Sequence, residues 1–143
     1  MTENAMRGVV RAFCDALAVR APELFSTVLD DNIEWTIFGP VDLFPFFGQR
    51  RGKAAVMAAF EDMSAHLSII RAEKEIVMVD GERAAGLVRI NAVDMFSGRT
   101  LSLRLALFAE FRNAKLVSLK ALFDSFDAVE QSLGRQIDLS RVA

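Results

Sequence analysis

Residues 100–111, TLSLRLALFAEF, carry Leu101, Leu103, Leu105 and Leu107 on one side of a period of two, and Ser102, Arg104 and Ala106 on the other. A helix repeats every ~3.6 residues and would scatter those leucines around its surface. An extended strand keeps them on one face. Residues 68–79 read as another strand, Asp80-Gly81 as a tight hairpin turn, and 82–95 as the next strand. Ser97-Gly98 turns the chain again, and 112–115 reverses it before a last strand over 116–126. Four consecutive strands with short links specify an antiparallel meander, and its apolar face has to be covered.

The cover is encoded upstream. Met6, Val9, Val10, Phe13 and Leu17 recur at helical spacing behind Thr2, a natural N-cap. Pro22 suits the first turn of a short second helix with Leu24, Phe25, Val28 and Leu29, which Asp30-Asp31-Asn32 ends. IEWTIFGP, residues 33–40, is a strand running into a turn, with Trp35 on the row of Ile33 and Ile37. Residues 39–52 hold two prolines and three glycines and read as a loop. Phe44, Phe46 and Phe47 in that loop need cover of their own, as a lid over a ligand or as a patch packed on the sheet or a second subunit. Residues 53–66 are helical again, with Val56, Met57, Phe60 and Met63 on one stripe. The expected fold is α+β: a curved antiparallel sheet wrapped around three N-terminal helices, a cone with an apolar cavity. A single domain spans 1–143, with a loose or partner-bound tail from Gly134 on.

The net charge is −2 and the Lys and Arg residues are scattered, so neither nucleic acid nor an anionic membrane is an expected partner. Gln49-Arg50-Arg51 reads as a solvated turn. The N-terminus lacks the basic flank and apolar core of a signal peptide. No apolar run approaches the ~20 residues of a membrane helix. The single cysteine, Cys14, allows no internal disulfide and suits a reducing cytoplasm. With one histidine, His66, and one cysteine, no His/Cys metal cluster can form within one chain. No metal and no cofactor are expected.

Three stretches carry a family resemblance: VLDDNIEWTIFGP (28–40), GQRRGKAAVMAAF (48–60) and FAEFRNAKLVSLKALFD (108–124). They resemble the helix end and first strand, the glycine-flanked third helix and the final hairpin of the nuclear transport factor 2-like superfamily, within it the SnoaL-like and ketosteroid isomerase-like proteins. The resemblance implies the conical fold. It leaves the activity open, since the family holds isomerases, cyclases, dehydratases, epoxide hydrolases and non-catalytic binding proteins. The general-base position of ketosteroid isomerases aligns with Trp35, and their two oxyanion donors with Phe13 and Leu107. None of these moves a proton at neutral pH, because Trp has only its indole N–H to donate. The limonene epoxide hydrolase positions fall at Val88, Ile90 and Ala121; a shift of one brings in Arg89 and Asn91 but no carboxylate.

Asp94 ends the row Ala84, Gly86, Val88, Ile90, Ala92, which is small and apolar until the aspartate. If that row faces the cavity, partial burial raises the carboxyl toward a general base. Otherwise Asp94 bonds the Ser97-Gly98 turn. His66 is either an acid/base residue or a histidine favoured by the helix C-terminus. Cys14 reads as a small buried hydrophobe. Arg89, Asn91, Arg104, Phe108 and Lys120 belong to the outer face, a mixed surface suited to a homodimer.

Three functions remain open. The first is a proton-transfer enzyme (isomerase, cyclase or dehydratase) with Asp94 or His66 as base and Trp35 as oxyanion donor. The second is a non-catalytic binding module for an apolar small molecule, walled by Phe13, Leu17, Trp35, Ile37, Met57, Phe60, Leu105, Leu107 and Phe123. The third is a dimeric structural protein whose cone is filled by side chains.

Overall fold

In the computed structural model of the chain, residues 2–18 and 22–140 are described, Leu17 and Ala18 by their backbone only. Helix α1 (Glu3–Ala18) starts where expected, the Ala5 N–H donating to Thr2 Oγ1 at 3.1 Å. Helix α2 (Pro22–Thr27) buries Phe25 and hands the chain to strand β1 (Leu29–Phe38). Asp30-Asp31-Asn32 lies inside β1 as an irregularity; the Asn32 N–H donates to the Asp30 carboxylate, and the pairing register shifts there. The 39–52 loop ends in a short strand, β2 (Gly48–Arg51), paired antiparallel to β1. The solvated turn expected at Gln49-Arg50-Arg51 is therefore an edge strand. Its four polar or small residues give no period-two signal of their own.

Helix α3 (Lys53–His66) follows, then the meander: β3 (Leu67–Asp80), β4 (Arg83–Asp94), β5 (Thr100–Arg112) and β6 (Lys115–Phe123). The sheet order is β2-β1-β6-β5-β4-β3. Every pair is antiparallel except β1–β6, which runs parallel and seats the first strand beside the last. A fourth helix, α4 (Ser125–Leu133), takes the place of the expected end of the last strand. Its signals are local: Asp124 caps it by accepting the Asp127 N–H at 3.0 Å, and Gly134 closes it at φ 71°. The Gln131 amide bonds both the N–H and the C=O of Ser102, continuing the ladder where β6 has ended.

The sheet curves because β3 carries two register irregularities, between Ile69 and Arg71 and between Lys74 and Ile76. Each inserts a residue, bends the strand and increases its twist. Leu67, Ile69, Ala72, Lys74, Val77 and Val79 pair with the inward row of β4, so the inward set changes parity twice. The outer face keeps Glu75, which accepts from Arg89 and Arg104 at 3.1 Å each.

Candidate functional site

The core of the cone is aromatic. Phe25, fully buried, stacks on Phe60 at 4.4 Å between centroids and meets Trp35 edge-on at 5.8 Å and Phe13 at 6.1 Å. Apolar burial and these ring contacts fix the Trp35 indole on that side. Trp35 also lines a cavity of about 140 Å³. Phe13 and Cys14 of α1 and Met63 of α3 face the sheet residues Trp35, Ile37, Ile69, Val88, Ile90, Leu105, Leu107, Leu119 and Ala121 across it. Ala72, Asp15 and Lys74 also border it, and the last two are its charged lining residues.

Of the wall residues expected from the sequence, the structure brings Phe13, Trp35, Ile37, Leu105 and Leu107 together at this cavity. Phe60 is spent on Phe25, Met57 packs against the core, and Phe123 packs on Phe47 at 5.2 Å. These three stand outside the lining. The side chain of Leu17 lies outside the described residues. Lys74 and Asp15 were not among the expected wall residues. The inserted residue at 70 turns Lys74 inward, whereas uniform alternation from Leu67 sends it outward. Cys14 is half-buried; burial pushes its thiol up, Lys74 pulls the other way, and Asp15 adds to the rise.

Asp94 and His66 meet near the β4–β5 turn and do not line the cavity. Asp94 ends the inward row and is only 4 % exposed. Its Oδ1 accepts the N–H groups of Phe96 at 2.9 Å and Ser97 at 3.3 Å, and its Oδ2 accepts from Ser132 Oγ of α4 at 3.3 Å. His66 Nε2 stands 3.9 Å from Oδ1. Burial by itself raises this carboxyl. The two N–H donors, the His66 charge and the Ser132 hydroxyl outweigh it and hold the group below its ordinary 3.8. The rise expected for a general base is thus reversed, because the carboxylate is turned into the turn. The His66 ring sits among Phe96, Phe46 and Phe44, at 4.6, 5.4 and 5.8 Å between centroids. The three loop phenylalanines are buried, as a patch packed on His66 and Phe123. The described residues hold no group of three His, Cys, Asp or Glu able to bind a metal. They include no helix long and apolar enough to cross a membrane.

Residues 10–119 match the model of the SnoaL-like domain. A solved structure from Rhodopseudomonas palustris, named "Putative Isomerase", is 43% identical, with 94% of this chain and 100% of that one covered and a TM-score of 0.83. An NTF2-like protein from Burkholderia xenovorans LB400 is 22% identical, with 92% and 98% covered and a TM-score of 0.79. TerC, co-crystallised with polyporic acid, is 16% identical, with 88% and 96% covered and a TM-score of 0.78. Among proteins of curated function none matches the sequence. The conical α+β fold and the matched stretch together make this chain a member of the SnoaL-like domain family, with the nuclear transport factor 2-like fold.

Proposed function

We propose that this protein binds a small, mostly apolar molecule inside the cone. The observation that carries this reading is the cavity of about 140 Å³, walled by aliphatic and aromatic side chains with charge confined to Asp15 and Lys74. Apolar cavities of about 150 Å³ stay dry and accept benzene-sized guests. A side-chain-filled cone would leave no such space. The named ligand of TerC lends support by analogy of fold. The test is a titration with one-ring apolar compounds, followed by the emission of Trp35, the single tryptophan in a chain without tyrosine. Ala121→Phe, which fills the cavity, is expected to abolish saturable binding while circular dichroism stays native. Binding that survives this substitution removes the cavity as the site.

A second reading, an isomerase-type reaction on that ligand, is favoured by the name of the 43% identical neighbour. The lining groups that exchange protons are Asp15, Lys74 and Cys14. Turnover lost in Asp15→Asn or Lys74→Met and kept in Asp94→Asn supports it. Turnover lost in Asp94→Asn alone, with the fold intact, returns the role to Asp94.

The homodimer belongs to the same proposal. Two cross-strand rows on the outer face, Met78-Ala85-Phe108-Lys120 and Ile76-Leu87-Ala106-Leu122, expose Met78, Phe108, Ile76 and Leu122. Adjacent exposed apolar rows call for cover, and a second copy related by a two-fold axis supplies it. A reducing cytoplasm suits the free thiol at the cavity wall.

A further inference from the structure

We infer that the molecule held in the cone is neutral, has one ring, and carries one acceptor oxygen (ketone, ether or epoxide) that receives the indole N–H of Trp35. This rests on the binding reading above and narrows it. Trp35 is 5 % exposed, yet its Nε1–H donates to no group among the described residues. No fully enclosed side-chain nitrogen or oxygen among them lacks a partner. The Trp35 nitrogen is therefore not sealed in protein, and Trp35 lines the cavity. A nine-tenths buried donor without an acceptor is a costly arrangement, and a ligand oxygen relieves it.

Size and charge narrow the ligand further. About 140 Å³ accommodates one ring and falls short of the ~300 Å³ at which drug-sized pockets begin. The charged lining residues, Asp15 and Lys74, are of opposite sign. An ionised ligand would face one of them as a like charge and would lose its hydration to an apolar wall. Apart from Trp35, the walls of Phe13, Ile37, Leu105 and Leu107 offer no side-chain donor or acceptor. A second polar group on the ligand would be left unpaired wherever it lay against these four side chains, away from Cys14, Asp15 and Lys74.

The test compares cyclohexanone with methylenecyclohexane, which replaces C=O by C=CH₂ in nearly the same shape. One tryptophan gives one indole N–H signal in the ¹⁵N-labelled protein. The ketone is expected to bind a few-fold to about tenfold more tightly, the net worth of one neutral hydrogen bond. It should also move the indole proton downfield, as the olefin should not. In Trp35→Phe the ketone's advantage should vanish while olefin binding remains. Should that variant fail to fold, the indole shift of the native protein decides. Equal affinities without an indole shift overturn the acceptor assignment and leave the binding reading standing. A fused-ring ketone that binds as tightly overturns the size limit. Binding by neither probe overturns both the inference and the reading beneath it.

Discussion

Each oxygen of Asp94 already has a donor, and that decides what the residue does. A carboxylate held below its ordinary value stabilises the fold at pH above the unfolded pKa of about 4. That contribution is lost as pH falls through the lowered folded value. Asp94 therefore adds a loss of stability in acid. Asp94→Asn is expected to cost about 1–3 kcal/mol at pH 7 and to flatten the dependence below pH 4, measured by urea denaturation across pH. Two glycines are as constrained as the aspartate. A Cβ at Gly39 would lie 2.8 Å from ring atoms of Phe47 and Phe123, which can shift, so Gly39→Ala should cost about 1–3 kcal/mol. At Gly86 the Cβ would lie 2.9 Å from the Ile76 carbonyl oxygen, a backbone atom held in the sheet. Gly86→Ala should therefore be the costlier of the two. The inward row that ends at Asp94 was legible from its small side chains. The direction of the carboxylate depended on a turn whose N–H groups only the folded chain aims at it.

At the level of elements, the β5–β6 hairpin carries correctable strain. Arg112 pairs with Lys115, and the two residues between them, Asn113 and Ala114, both have positive φ, 51° and 62°. That is the type I′ geometry, which Asn-Gly meets best. Ala114→Gly is expected to stabilise by about 0.5–1 kcal/mol in thermal or urea melts, since an alanine pays a steric penalty there that exceeds glycine's entropy. The strands of the meander with their three turns, and the first three helices, could be read from periodicity and turn residues. Three features could not. The strand β2 exists because β1 offers it an edge. The helix α4 had its cap signals at Asp124 and Gly134, but the apolar run into Phe126 extended the strand over the first, and the second was read as the start of the tail. The inserted residues in β3 belong to its pairing with β4, and a single strand's alternation holds no record of its partner. Those insertions exchange the faces of residues 71–74, which is why Lys74 at the cavity escaped the sequence reading.

For the molecule as a whole, the fold and its family were within reach of the sequence because pattern and motif agree over nearly its full length. The cavity was only half within reach, because which wall residues face open space depends on how the sheet bends. The outer face makes its own prediction. Phe108→Glu, in the middle of an exposed apolar row and away from the cavity lining, should leave the fold intact and convert a dimer to a monomer in sedimentation velocity. A wild-type protein already monomeric at tens of micromolar would exclude that interface. The two inserted residues of β3 have one more consequence. At 14 residues β3 is the longest strand and lies at the sheet's border; the opposite border, β2, has four residues. A long, regular border strand is a template on which other chains can add and grow into fibres. Interrupted at 70 and 75, β3 offers an incoming strand no uninterrupted row of N–H and C=O groups. The irregularities that keep the cone hollow thus also keep its copies from zipping together edge to edge.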